Sequence, residues 1–355
     1  MNEFDPKCTG PFAEPLVSGQ TSEGDVHNES ESTPHSAPVA VQGGTAAERK
    51  FERRYFIAVD LGGTNIKSGI VSETGELISH VSDPTPAREG GAAILNEIKR
   101  IVQERLTETR HKDLHVAAIG VATAGWVKSA TGRIIYAAGN LPGWTGTELG
   151  DELRKDFALP VAVENDANAM AMAEHRFGAA RGVGDFVCIT LGTGVGCGVY
   201  SGGRLRRGAH DLSNNLAHMQ IESDGLQCNC GRRGCFEVYA NAAALLRYAG
   251  KSFASAKDVI QAANAGNETA REAVSLLARR LTIGLGILIE LADPSLVLVG
   301  GGVAQDNPLL LARLRENLNN SLLAPDIRNL RIEVSPHSYL GGVVGAAAAA
   351  LEKLS

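Results

Sequence analysis

From residue 55 onward, short apolar runs alternate with helical stripes; before it, neither period is visible. Tyr55-Phe56-Ile57-Ala58-Val59-Asp60 is rich in β-branched and aromatic residues and stops at Leu61-Gly62-Gly63-Thr64-Asn65. Ile66-Lys67-Ser68-Gly69-Ile70-Val71 follows at once, closed by Glu73-Thr74-Gly75-Glu76. Two strands around a glycine turn predict a β-hairpin, not a strand that leads into a helix. The same theme returns at 186–190 and 196–200, and further strands are expected at 115–121, 161–164 and 296–299. Ile94, Ile98, Ile101, Val102 and Leu106 share one face of a helix over 91–107. Alanine-rich helices are expected at 166–177 and 343–354, and longer helical stretches at 241–249 and 267–291. Strands and helices in alternation indicate an α/β class.

Composition changes this picture only at the N-terminus. Up to Glu48 there are eight acidic residues and one lysine among many Ser, Thr, Pro and Gly. Such a segment cannot bury enough apolar surface to offset its ordering entropy, so residues 1–53 are expected to form a disordered acidic tail. Glu3 and Asp5 stand where a signal peptide would be positive, and no apolar core follows, so a cytoplasmic protein is expected. The remaining length suits two domains, and 44% hydrophobic residues can build their cores. A net charge of -6 gives no reason to expect nucleic acid or an anionic membrane as partner. No apolar run reaches the roughly 18 residues that would span a bilayer.

Two glycine loops carry the first chemistry. Asp60 to Asn65 and Thr190-Leu191-Gly192-Thr193-Gly194 each end an apolar strand. Glycines let backbone N–H groups approach phosphate oxygens, and threonine hydroxyls add donors. Either loop alone could be a plain hairpin turn; two in one chain, each with a hydroxyl, favour phosphate. Neither is a P-loop, and the dinucleotide fingerprint is missing after Asp60. Gly300-Gly301-Gly302 forms a third cluster after the strand at 296–299.

A second signal is the spacing H-x9-C-x-C-x4-C made by His218, Cys228, Cys230 and Cys235. Three thiolates and one imidazole are a full tetrahedral set for zinc, with no position left open for catalysis. Of the other three cysteines, Cys188 and Cys197 lie in apolar or glycine-rich stretches and read as packing residues.

Together, Asp60 to Asn65, Glu164-Asn165-Asp166-Ala167-Asn168, Thr190 to Gly194 and Gly300 to Gly302 resemble the phosphate, connecting and adenosine motifs of the ROK family of sugar kinases and repressors. The resemblance runs from about Tyr55 to Leu354, and Gly125 with Asn140-Leu141-Pro142-Gly143-Trp144 is similar to the sugar region of the family's glucokinases. It implies two actin-like, hexokinase-type (ribonuclease H-like) lobes with a cleft between them. Residues 54–167, joined by the helix at 343–354, would form one lobe, and residues 168–342 with the zinc motif the other. It further implies Mg-ATP and a hexose as ligands, and a homo-oligomer, dimer or tetramer. ATP would lie on Asp60, Gly62, Gly63, Thr64, Asn65, Lys67, Gly192, Thr193, Gly194, Gly300, Gly301 and Gly302. The sugar would lie on Gly125, Asn140, Asn165, Asn215, His218 and Glu237. Asp166 would take the proton of the attacking hydroxyl; without its motif it reads as a helix cap, where aspartate is favoured.

One segment departs from the family pattern. Where its kinases read Gly-Glu-x-Gly-His, this chain has Asn214-Asn215-Leu216-Ala217-His218. Three classes stay open, the sugar-binding one on the loss of that acid and the repressor on the shared fold. The first is a hexose kinase for glucose, N-acetylmannosamine or another hexose. The second is a sugar-binding protein without transfer. The third is a sugar-sensing repressor, for which residues 1–53 are too short, acidic and aperiodic to supply a winged helix-turn-helix.

Overall fold

The computed structural model describes residues 53–355 apart from 138, 140 and 338, so the expected tail (Arg53 aside) and Asn140 lie outside the described residues. The chain begins with strands β1 (Tyr55–Leu61), β2 (Asn65–Ser72) and β3 (Leu77–Pro84), then helix α1 (Gly91–His111). Strands β4 (Val116–Thr123), β5 (Trp126–Lys128) and β6 (Arg133–Tyr136), helix α2 (Leu149–Phe157), strand β7 (Val161–Asn165) and helix α3 (Asp166–Phe177) follow. Next come β8 (Phe186–Leu191), β9 (Val195–Ser201), β10 (Arg204–Leu205), and helices α4 (Glu237–Ala240), α5 (Ala242–Ala249), α6 (Ala256–Asn264) and α7 (Glu268–Ala292). Strand β11 (Leu296–Gly300), helices α8 (Pro308–Ser321) and α9 (Pro325–Arg328), strand β12 (Arg331–Val334) and helix α10 (Gly341–Lys353) complete it.

Two five-stranded sheets share one plan. The first has the order β3-β2-β1-β4-β7 and the second β10-β9-β8-β11-β12. In each, the first three strands are antiparallel and the last two join in parallel. Both expected hairpins are present, with Leu61 opposite Ile66 and Leu191 opposite Val195.

The central strands are buried on both faces, and the period of two sorts their side chains into different cores. Ile57, Val59 and Leu61 of β1 face α1, whereas Phe56 and Ala58 face α3 and α10. In β8, Val187, Ile189 and Leu191 join the core under α5 to α8, while Phe186 and Cys188 join the α3 and α10 core. That shared core is alanine-rich because its elements come very close. A side chain at Gly345 of α10 would overlap the Ala169 carbonyl of α3, and one at Gly120 of β4 the Ala346 carbonyl. Helix α10 thus returns the chain end to the first sheet and packs along α3, which also covers β8 and β9.

Several elements had no clear period. Strand β3 is an edge strand whose Leu-Ile-Ser-His-Val-Ser-Asp-Pro is half-exposed to exposed, so no apolar face marks it. Helix α8 begins at an Asn307 cap followed by Pro308, a legible start signal that the expectation passed over. Cys188 and Cys197 are buried, as packing residues should be. No helix among the described residues is long and apolar enough to cross a membrane.

Candidate active site

A cavity of about 480 Å³ collects the turns and strand ends of both sheets. Gly62 and Gly63 between β1 and β2, and Gly192, Thr193 and Gly194 between β8 and β9, form part of its wall. Each turn is closed by one backbone bond, Gly62 N–H to Asn65 O and Gly192 N–H to Gly194 O, both 3.0 Å. The turns are braced from outside: Thr85 Oγ1 donates to Gly62 O (2.8 Å) and Asn241 Nδ2 to Thr193 O (3.1 Å). Gly301, at φ 86°, lies against the Leu191 backbone where no side chain would fit, and reaches the same cavity.

Asp166 lies in this cavity at the first position of α3. The cap of that helix is Asn165, not Asp166: Asn165 Oδ1 accepts from the N–H groups of Ala167 (3.0 Å) and Asn168 (3.1 Å). Its Nδ2 donates to Gly125 O (2.8 Å) and Asp166 Oδ1 (3.0 Å). Asn165 therefore fixes both Gly125 and the acid, and a sugar hydroxyl would have to share those bonds. Burial pushes the Asp166 carboxyl up to about 6, helped by the Asp60 carboxylate and opposed by the Ala167 N–H and Asn165. Asp60 is raised by its own burial and lowered by Lys67. Among the described residues no hydrogen bond reaches the Asp60 carboxylate, and a side chain at Gly342 would overlap it. A half-buried carboxylate with no hydrogen-bond partner among the described residues, beside a phosphate-type loop, is a fitting place for a divalent cation.

Behind these residues, buried Glu164 accepts from Asn165 N (2.9 Å) and Asn168 Nδ2 (3.0 Å) and pairs with Arg207 Nε (2.9 Å). Asn168 Oδ1 in turn accepts from Asn214 Nδ2 (3.1 Å). Asn214 has φ 64°, a left-handed backbone that glycine favours and asparagine tolerates. Asn214 thus takes a left-handed turn at the position where the resemblance would put the family's first glycine. Asn215 and His218 line the cavity, as does Glu237, whose Oε2 accepts from Val195 N (3.0 Å).

The donor atoms of His218, Cys228, Cys230 and Cys235 lie within 4.8 Å of one another. His218 Nδ1 is 3.7 Å from Cys228 Sγ, and Cys230 Sγ is 3.6 Å from Cys235 Sγ. A tetrahedron with zinc–sulfur bonds of ordinary length has edges of about 3.8 Å, so the set fits a four-donor metal site. Burial lowers the His218 pKa, with Glu237 opposing, which favours the neutral imidazole a metal needs. Burial would raise Cys230, but hydrogen bonds from Arg232 and the neighbouring thiols bring it down to about 7.

Not every expected residue reaches the cavity. Asp60, Thr64, Asn65, Lys67, Gly300, Gly302 and the three cysteines stand outside its lining. Lys67 instead donates to Tyr339 O (2.9 Å) and lies over the Tyr339 ring (4.4 Å). Conversely, Trp126, Tyr136 and Ser213 line it without having been singled out, and Asn168 and Asn214, named only as parts of motifs, line it as well. Trp126 follows Gly125 directly and Asn168 closes the Asp166 motif, so adjacency could have flagged both. Tyr136, whose ring is 5.4 Å from that of Trp126, comes from a separate strand and had no signal.

These features have counterparts in known proteins. The profile of the ROK family matches residues 56–353. A glucokinase of Streptomyces coelicolor is 35% identical over 320 residues, 83% of this chain and 97% of that enzyme. The solved ROK family glucokinase of Streptomyces griseus, in complex with glucose and AMPPNP, is 34% identical with a TM-score of 0.74, over 84% of this chain and 99% of that one. A xylose repressor of Caldicellulosiruptor bescii is 27% identical over 308 residues, 82% of this chain and 77% of the repressor.

Proposed function

The chain belongs to the ROK family and has the fold of its sugar kinases, and from that premise we propose that it is an ATP-dependent hexose kinase acting on the 6-hydroxyl of glucose. The observation that carries this is Asp166, a carboxyl raised to about 6, in one cavity with both glycine turns and the Asn215, His218 and Glu237 side chains. A general base of that pKa is ionised at neutral pH yet still basic enough to accept a proton as the hydroxyl attacks. The sugar oxygen bonds to the γ-phosphorus, the bond to the β–γ bridging oxygen breaks, ADP leaves, and the proton passes to Asp166. The turns at Gly62–Gly63 and Gly192–Gly194 present backbone N–H groups to the phosphates, and Gly301 borders the nucleotide. Asp60 would hold magnesium through water, and that ion supplies charge neutralisation on the transferring phosphate. Zinc on His218, Cys228, Cys230 and Cys235 would be structural, fixing the His218 ring so that its other nitrogen can meet a sugar hydroxyl. The glucose and AMPPNP held by the S. griseus enzyme support this pair of ligands.

Asn215 supports a second reading, sugar binding with weak or no transfer, since an amide replaces the family's acid. A coupled phosphorylation assay with Mg-ATP over a panel of hexoses decides between them. ATP-dependent transfer to glucose is expected. Transfer only to another hexose, such as N-acetylmannosamine, would remove glucose, and no transfer to any sugar would remove the kinase.

A further inference from the structure

Glu174 is a charged side chain with no exposed surface, and the chemistry above does not use it. It lies in the last turn of α3, the helix whose first residue is Asp166, about 12 Å further along the axis. Its Oε1 accepts from Ser335 Oγ, from His337 Nδ1 (3.1 Å) and from His337 N (3.4 Å), and its Oε2 from Ala179 N (2.9 Å). Ser335 and His337 belong to the link between β12, at the edge of the second sheet, and α10, which packs on the first. The far end of that link is tied to the first sheet by the Lys67 bond to Tyr339 O and the Lys67–Tyr339 stack. Immediately after it, Gly341 lies against Met170 of α3 and Gly342 against the Asp60 carboxylate.

We propose that Glu174 is a positioning residue for the metal and nucleotide: it holds Ser335 and His337, ahead of α10, and so helps seat the first turn of α10 on Asp60. A buried carboxylate with four hydrogen bonds is costly to disturb, so Ser335 and His337 are held in one arrangement against α3. Burial would raise the Glu174 carboxyl, but the bonds from His337, Ser335 and Ala179 hold it below the ordinary carboxylate range, so it stays ionised. With the link fixed, Asp60 and Asp166 are set relative to each other from both ends of α3. The inference rests on the proposed use of Asp60 toward magnesium.

The test is the affinity of the full chain for Mg·AMPPNP against metal-free AMPPNP, by calorimetry, with kcat and KM alongside. Glu174→Gln loses the Ala179 bond and risks the fold, so His337→Ala, which removes the imidazole bond and leaves the Ser335 Oγ, His337 N–H and Ala179 N–H bonds to Glu174, is the main variant. It is expected to weaken Mg·AMPPNP about threefold or more and lower kcat about tenfold, with metal-free AMPPNP and hexose KM within about twofold. His337→Asn, whose amide can donate to Glu174, should recover most of both losses. Unchanged Mg·AMPPNP affinity in His337→Ala, or equal weakening with and without the metal, overturns the proposal. If the wild type binds Mg·AMPPNP but phosphorylates no hexose, the kinase function fails while the affinity ratio still decides this inference. A wild type that does not bind Mg·AMPPNP overturns both.

Discussion

At the residue scale, two side chains carry the sharpest expectations. Asp166→Asn should lower kcat by about 10² to 10⁴, the usual range for loss of a general base, with AMPPNP affinity little changed. In the wild type, kcat/KM should fall below a midpoint near pH 6 as the base takes up its proton. Stability runs the other way. A carboxyl raised in the folded state stabilises the fold below the ordinary carboxylate range, and that contribution is lost as pH rises through about 6. Asp166→Asn, neutral throughout, should therefore melt higher than wild type at pH 7.5, and a lower melting temperature would contradict the burial argument. Asn215 is the second. An ionised glutamate can accept from two hydroxyls, while asparagine offers one acceptor and one donor group. The difference between charged and neutral hydrogen bonds, about 1 to 2 kcal/mol, corresponds to roughly 5- to 30-fold in sugar binding. Asn215→Glu alone should raise kcat/KM for glucose, because Asn214 already adopts the left-handed turn and no added glycine is required. No gain on glucose would mean that Asn215 does not meet the sugar.

At the scale of elements, the Cys-rich loop and the α3–α10 crossing answer to different forces. The loop between His218 and Cys235 has little apolar content, and a bound metal would be its main source of order. Purified protein is expected to hold about one zinc per chain, and Cys230→Ser should lower both metal content and melting temperature. Zinc-free protein prepared without chelator would remove the metal from the account. The crossing, in contrast, depends on the missing side chain of Gly345. Gly345→Val should destabilise by about 1 to 3 kcal/mol through overpacking against α3. Because α3 begins at Asp166, kcat should fall as well, and an unchanged melting temperature would show that the helices can separate cheaply. Gly345 was not legible as a crossing residue: an isolated glycine in an alanine-rich helix says nothing about which backbone lies opposite. The glycine turns were legible, because each sits between two apolar runs and the turn is a local feature.

At the scale of the whole molecule, the described residues build three buried clusters, one against each outer layer of helices and one shared by the α3 and α10 layer. Residues 1–50 lack the apolar content to add to them. Their removal is expected to leave kcat/KM and the melting temperature nearly unchanged, and a drop of several degrees would show that they dock. Strand and helix periods, the hairpin turns, the α/β class and the Cys-His spacing are properties of neighbouring residues, so the sequence alone determined them. Strand order and the partners across each core join positions far apart in the chain, as when α10 closes on the first sheet. Asn165 taking the cap, Lys67 turning to Tyr339, and Tyr136 joining Trp126 at the cavity were decided only by packing. Such choices depend on which buried polar group finds a partner once the backbone is in place, and no local pattern encodes that.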